Sequence, residues 1–200
     1  MENKITGCVF DLDGTLADTA PDIAIALNNS LNDAGLRQVP LESVKEMIGN
    51  GIPVLVRRAL SHIEAPEDLA ADVITSMLAY SRKYYCEKSS LMHGVKDCLE
   101  GLKKRGIPMS ICTNKDETVA QMVVSALDLN SYFYAIVGSR PNLVKKPDPS
   151  MLQIAAEAIN SPIETTMMIG DSEVDAATGI AASSISVIVR GGYCHKPYEE

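Results

Sequence analysis

The stretch "CVFDLDGTLADT", residues 8–19, opens as a core strand and ends in two carboxylates. Val9, Phe10 and the preceding Ile5 are residues that a fold buries. Asp11 and Asp13 are charges that it does not bury without a use for them. Side chains two residues apart in an extended chain project to the same side, so both acids face one point. Leu12 points away into packing, and Gly14 lets the chain turn. These residues read as a buried strand whose carboxyl end presents two acids to a ligand.

Downstream of this strand the pattern turns helical. In "APDIAIALNNSLNDAGL" (20–36), Ile23, Leu27, Leu31 and Ala34 form one stripe and Gly35 a stop. "PLESVKEMIGNG" (40–51) predicts a shorter helix ending at Gly49. "IPVLVRRALSHI" (52–63) starts with Pro53 near a first helical position, with Leu55, Ala59 and Ile63 four apart. "PEDLAADVITSMLAYSRKYYC" (66–86) continues through Leu69, Val73, Met77, Tyr80 and Tyr84. Residues 17–88 are therefore expected to be all helix.

Beyond them, helices alternate with apolar strands. A helix over Val95, Cys98, Leu99 and Leu102 stops at Gly106, and "IPMSICTN" (107–114) is a strand. A helix over 116–127 precedes the strand "YAIVGS" (134–139), and Pro149 opens another helix. The strand "TMMIGD" (166–171), a helix after Ser172 and the strand "ISVIV" (185–189) complete the series. Alternation of this kind means parallel pairing through right-handed crossovers, a doubly wound α/β sheet. The helical stretch between the first strand and the rest reads as a separate lid.

Two hundred residues suit one α/β domain with an insertion. A hydrophobic content of 46% with only 4% aromatic residues gives an ample, aliphatic core. The net charge of −8 argues against non-specific nucleic-acid binding, which needs basic patches to displace counterions. No run approaches the 18 or so apolar residues of a membrane span, and no signal-peptide pattern opens the chain. Cys8, Cys86, Cys98, Cys112 and Cys194 are odd in number and lack C-x-x-C spacing, as expected of reduced thiols in a cytoplasmic protein. A monomer or homodimer is expected.

In doubly wound sheets, ligands bind at the carboxyl ends of the strands. Three apolar strands end there in polar residues, in "CVFDLDGT", "SICTN" and "MMIGDSEVD", and the loop "VKKPDP" falls between the last two. Asp11, Asp13, Thr113, Asn114, Lys146, Asp171 and Asp175 thus converge on one edge. Four acids then face one lysine, with the adjacent Lys145 taken as solvated. Like charges about 4 Å apart repel by roughly 4 kcal/mol at an effective dielectric of about 20. A hard divalent cation relieves this repulsion. The oxygen-only donor set suits magnesium and lacks the His/Cys cluster of zinc. Lys146, the Thr113 hydroxyl and backbone N–H groups could hold phosphoryl oxygens, one acid could attack, and the second could move the proton. Such a site performs phosphoryl transfer on a small phosphorylated metabolite.

"DLDGT", "CTN", "KKPDP" and "GDSEVD", in this order, resemble the four motifs of the haloacid dehalogenase superfamily, over nearly the whole chain. The resemblance implies a Rossmann-like core, residues 1–16 and 89–200, with a helical cap, residues 17–88, inserted after the first strand. It also implies that Asp11 is a nucleophile forming an aspartyl-phosphate and Asp13 the general acid/base, with Thr113 and Lys146 steadying the phosphoryl group. Magnesium would be held by the Asp11 side chain, the Asp13 carbonyl and Asp171, with Asp175 in support.

The segments "MIGNGIPVLVRRAL" and "DLDGTLADTAPDI" look like those of bacterial phosphoglycolate phosphatases. On that likeness Gly49, Asn50 and Gly51, with Arg58, are expected to recognise the substrate's non-phosphate end, and Thr15 and Asn114 to join the substrate contacts. Members of the family usually continue with another strand and helix, whereas this chain stops at "GGYCHKPYEE", so a reduced sheet edge is expected.

Within the superfamily a β-phosphoglucomutase-like sugar-phosphate mutase, a pyrophosphatase and a nucleotidase share these motifs; Thr15 stands where such mutases carry a bulkier apolar residue. A dehalogenase needs no second acid at Asp13. A phospho-accepting receiver would be shorter and lack the insertion, and a non-catalytic binding module would be expected to lose Asp11 or Lys146.

Overall fold

A computed structural model describes residues 4–193. Its centre is β1 (Gly7–Phe10), flanked by β4 (Met109–Asp116) and β6 (Thr166–Gly170). With β5 (Ile136–Ser139) outside β4 and β7 (Ile185–Ile188) outside β6, the order is β5-β4-β1-β6-β7, every pairing parallel. The chain builds outward from β1 to β5, then returns to add β6 and β7 on the other side. That reversal puts the topological switch point beside β1.

Alternation along the strands sorts their side chains between two cores. Cys8 and Phe10 of β1, with Met109 and Ile111 of β4, pack under α5 (Val95–Lys104) and α6 (Glu117–Ala126). Val9, Cys112 and Met168 face the opposite side with Met151, Leu152 and Ala155 of α7 (Ser150–Glu157). The last helix, α8 (Glu173–Ala182), packs on β6 and β7. Both faces of the central strand are covered, which explains why it reads as an unbroken apolar run. Burial pushes the Cys8 thiol up to about 11 and that of Cys112 up to about 12. Both behave as small core hydrophobes, whereas Cys98 is exposed. Cys194 and the rest of the terminal segment beyond Tyr193 lie outside the described residues.

The insertion contains α1 (Ala20–Asp33), α2 (Leu41–Lys45), α3 (Ile52–His62) and α4 (Ala70–Lys83). Their apolar faces form a core of their own, with Leu27, Leu31, Val56, Leu60, Val73 and Met77 buried. Two expectations are corrected here. The segment is not all helix: β2 (Ala17–Asp18) pairs antiparallel with β3 (Ser90–Leu91), laying the chain's exit and return side by side. In addition, α2 ends at Lys45 rather than Gly49. Met47 and Ile48 bond to carbonyls three residues back, and the backbone turns out at Gly49 with φ 119°.

Candidate active site

At the carboxyl end of β1, the Asp11 carboxylate is buried against the Lys146 ammonium, with Oδ1 2.8 Å from Nζ. The same ammonium donates to Asp175 Oδ1 at 2.6 Å, so one lysine, 4% exposed, joins two acids. Burial pushes the Asp11 carboxyl up, Lys146 opposes this, and Asp175, Asp171 and Asp13 add to the rise. For Lys146 burial works downward, but Asp11 and Asp175 outweigh it and hold the ammonium firmly charged. Asp175 also closes the α8 N-terminus, its Oδ2 accepting from the Ser172 backbone N–H and hydroxyl. The residue thus caps a helix and anchors the lysine at once.

Asp171 sits where β6 ends. Its Oδ1 accepts from the Thr15 hydroxyl at 2.8 Å and its Oδ2 from the Tyr193 backbone N–H at 2.6 Å. Burial raises its carboxyl and these two donors oppose the rise. One carboxylate oxygen from each of Asp11, Asp171 and Asp175 falls within 4.8 Å of the others. Three buried acids so close, offering only oxygen donors and opposed by one ammonium, fit a small hard cation. The backbone leaves no slack here. A Cβ on Gly14 (φ +84°) would stand 2.4 Å from Asp171 Oδ2, and one on Gly192 2.3 Å from the same atom.

Asp13 contributes no carboxylate oxygen to that trio. Its Oδ1 accepts from the Thr19 hydroxyl at 2.6 Å and from Lys115 Nζ at 2.9 Å. The cluster therefore has a second cation. Lys145 is not a solvated lysine either: it is half-buried, burial lowers its pKa, and its Nζ would stand 2.7 Å from a Cβ on Gly51. Asn114 stitches the edge to the insertion. Its Nδ2 donates to the carbonyls of Gly49 and Lys146, each at 3.0 Å, and its Oδ1 accepts from the Lys146 N–H at 2.9 Å.

Part of this edge opens on a cavity of about 60 Å³, whose lining does not include Lys146, Asp171 or Asp175. Asp11, Asp13, Thr113, Asn114 and Lys115 line the sheet side, and Ile23, Ile48, Gly49, Gly51, Leu55 and Met77 the helical side. Three expected substrate contacts, Thr15, Asn50 and Arg58, are not among the lining residues. Arg58 is exposed and donates to Met47 O and Asn50 Oδ1, so it and Asn50 hold the α2–α3 turn instead of lining the cavity. Thr15 spends its hydroxyl on Asp171.

Sequence reasoning missed Lys115, which lies where β4 shifts its register between Cys112 and Asp116, so plain alternation past Thr113 does not locate its side chain. It also missed Asp22, which accepts from the backbone N–H groups of Lys88 and Ser89 and the Ser89 hydroxyl, tying the return segment to α1. Tyr193 escaped notice too. Its hydroxyl donates to Asp18 and accepts from the Ala20 N–H, joining the exit segment to Asp171 through one residue.

Among known proteins, the profile described as haloacid dehalogenase-like hydrolase matches residues 8–189. The chain is 36% identical over 196 residues to a phosphoglycolate phosphatase of Cereibacter sphaeroides, covering 97% of this chain and 89% of that one. It is 36% identical over 192 residues to the phosphoglycolate phosphatase of Pseudomonas syringae, covering 94% and 70%. A crystal structure of a predicted phosphoglycolate phosphatase from Haemophilus somnus superposes with a TM-score of 0.88 at 28% identity, over 98% and 90% of the two chains. With the motifs gathered at the carboxyl edge of a doubly wound sheet and these relatives spanning nearly its full length, the chain belongs to the haloacid dehalogenase-like hydrolase family.

Proposed function

We propose that the protein is a magnesium-dependent phosphatase of a small phosphomonoester, 2-phosphoglycolate, working through an aspartyl-phosphate on Asp11. The observation that carries this reading is the buried Asp11–Lys146–Asp175 chain at the end of β1, opening on a small cavity under the helical insertion. Magnesium, held by Asp11, Asp171 and the Asp13 main-chain carbonyl, would neutralise phosphoryl oxygens that these acids would otherwise repel.

The chain's own side chains divide the work. Lys146 fixes Asp11 Oδ1, so Oδ2 is the oxygen that attacks phosphorus as the bond to the substrate's ester oxygen breaks. Thr19 and Lys115 fix Asp13 Oδ1, leaving Oδ2 to deliver a proton to that departing oxygen. Water then attacks phosphorus, Asp13 takes back a proton, and the Asp11 carboxylate leaves. Thr113 and the Lys146 ammonium hold phosphoryl oxygens meanwhile. Residues 17–88 act as the lid: the Asn114 bond to Gly49 O brings the insertion onto the core and keeps bulk water away from the acyl phosphate.

The likeness to phosphoglycolate phosphatases over most of the chain supports a small substrate. We place the protein in the cytoplasm on its likeness to the phosphoglycolate phosphatases; no helix of the described residues is long and apolar enough to cross a membrane. The test is a panel of phosphorylated metabolites assayed with magnesium, ranked by kcat/KM. A preference for hexose phosphates, nucleotides or pyrophosphate refutes the substrate, and full turnover by Asp11→Asn refutes the nucleophile.

A further inference from the structure

If the substrate is a carboxylate-bearing phosphoester, as proposed above, something in the cavity must meet its second negative charge. A desolvated carboxylate without a partner is costly. Most of the helical side of the lining is apolar: Ile23, Ile48, Ile52, Leu55 and Met77. Of the acids there, Asp22 is occupied by the return segment and Asp116 by the α6 N-terminus, and neither attracts an anion. Arg58 faces away, and Lys146, bonded to Asp11 and Asp175, has its one remaining N–H assigned above to the phosphoryl group. Among the described residues that line the cavity, Lys115 is the only lysine, arginine or histidine.

Its position also fits the substrate's length. In 2-phosphoglycolate the carboxylate carbon is two bonds from the ester oxygen. Whatever binds the carboxylate must therefore stand beside the acid that protonates that oxygen. Lys115 Nζ is hydrogen-bonded to Asp13, 2.9 Å from Oδ1, with its side chain only 12% exposed. We infer that Lys115 is the specificity-determining residue that receives the substrate's carboxylate, sharing its ammonium between that group and Asp13. The ammonium has three N–H donors, so both acceptors can be served at once.

The experiment compares 2-phosphoglycolate with 2-hydroxyethyl phosphate, which matches it in length and lacks the charge. The readout is the ratio of their kcat/KM values in wild type, Lys115→Met and Lys115→Arg. Because Lys115 also neutralises Asp13, turnover of both esters can fall in the methionine variant; the ratio cancels that shared loss. Lys115→Met should lower the ratio by about ten- to a hundredfold, the range for losing a charge-assisted hydrogen bond, and Lys115→Arg should restore part of it. A parallel calorimetric titration of both esters into Asp11→Asn and Asp11→Asn/Lys115→Met reads the same discrimination in binding without turnover. A ratio unchanged in Lys115→Met overturns the assignment, as does a ratio that collapses in Lys145→Met instead. A wild-type enzyme with no preference for the charged ester refutes the phosphoglycolate reading itself, which is a separate outcome.

Discussion

Replacing Lys146 by Met removes the charge that lets Asp11 and Asp175 be buried together. The ammonium lies 2.8 Å from one carboxylate and 2.6 Å from the other, in side chains that are 11% and 1% exposed. Met fills the space of the aliphatic stem, so the variant isolates the charge. Breaking a buried ion pair from one side costs about 3–5 kcal/mol, because the partner is left uncompensated. For a domain of this size each kcal/mol moves the midpoint by about 2–4 °C, giving a fall of roughly 6–20 °C in EDTA. Magnesium supplies positive charge to the same acids, so the deficit against wild type should shrink when it is added. Adding Asp175→Asn, which removes the stranded charge and can still accept from Ser172, should recover part of the loss. Thermal unfolding followed by circular dichroism, with EDTA and with magnesium, measures all of this. A Lys146→Met protein as stable as wild type in EDTA, or a deficit indifferent to magnesium, refutes the electrostatic reasoning.

Gly14→Ala should weaken magnesium activation severalfold or more, because the methyl would press on Asp171 Oδ2 at a left-handed backbone position; Gly35→Ala (φ +71°, nothing within 4 Å) should cost only about 1–2 kcal/mol of stability and leave activation alone. Half-maximal magnesium concentrations for the two variants check this. Asp22→Ala frees two backbone N–H groups and the Ser89 hydroxyl, and should destabilise by about 2–3 kcal/mol in urea unfolding. Burial pushes the metal-free Asp11 carboxyl up to about 7. A proton therefore competes with the cation below that pH, and magnesium affinity by calorimetry should climb as pH rises to about 7 and level off above it.

The sheet was legible in the sequence because buried parallel strands read as apolar runs, GCVF in β1 and TMMIG in β6, with shorter apolar stretches marking β4, β5 and β7. The acids at their ends were legible because a charge abutting such a run has no packing role. What stayed hidden depends on geometry that no period encodes. A two-residue strand such as Ala17–Asp18 is too short to show alternation, and its pairing with Ser90–Leu91 joins segments separated by the whole insertion. Arg58 lies three residues from Leu55, which lines the cavity, but the turn it grips, Met47 to Asn50, decides that it points out of the cavity. Thr15 beside the acids looked like a substrate contact; the turn at Gly14 aims it at Asp171 instead. Lys115 stayed hidden because β4 shifts register between Cys112 and Asp116, an irregularity that strand alternation does not foresee.

In the proposed mechanism Asp11 carries the phosphoryl group during turnover. Mixing the enzyme with 2-phosphoglycolate and magnesium, quenching in acid within a single turnover, and mapping the digest by mass spectrometry tests it directly; Asp13→Asn, which slows loss of the acyl phosphate, raises the yield. The account predicts one phosphoryl group on the peptide containing Asp11, absent from Asp11→Asn. Substrate turned over with no covalent adduct in either enzyme, or an adduct on any other residue, contradicts it.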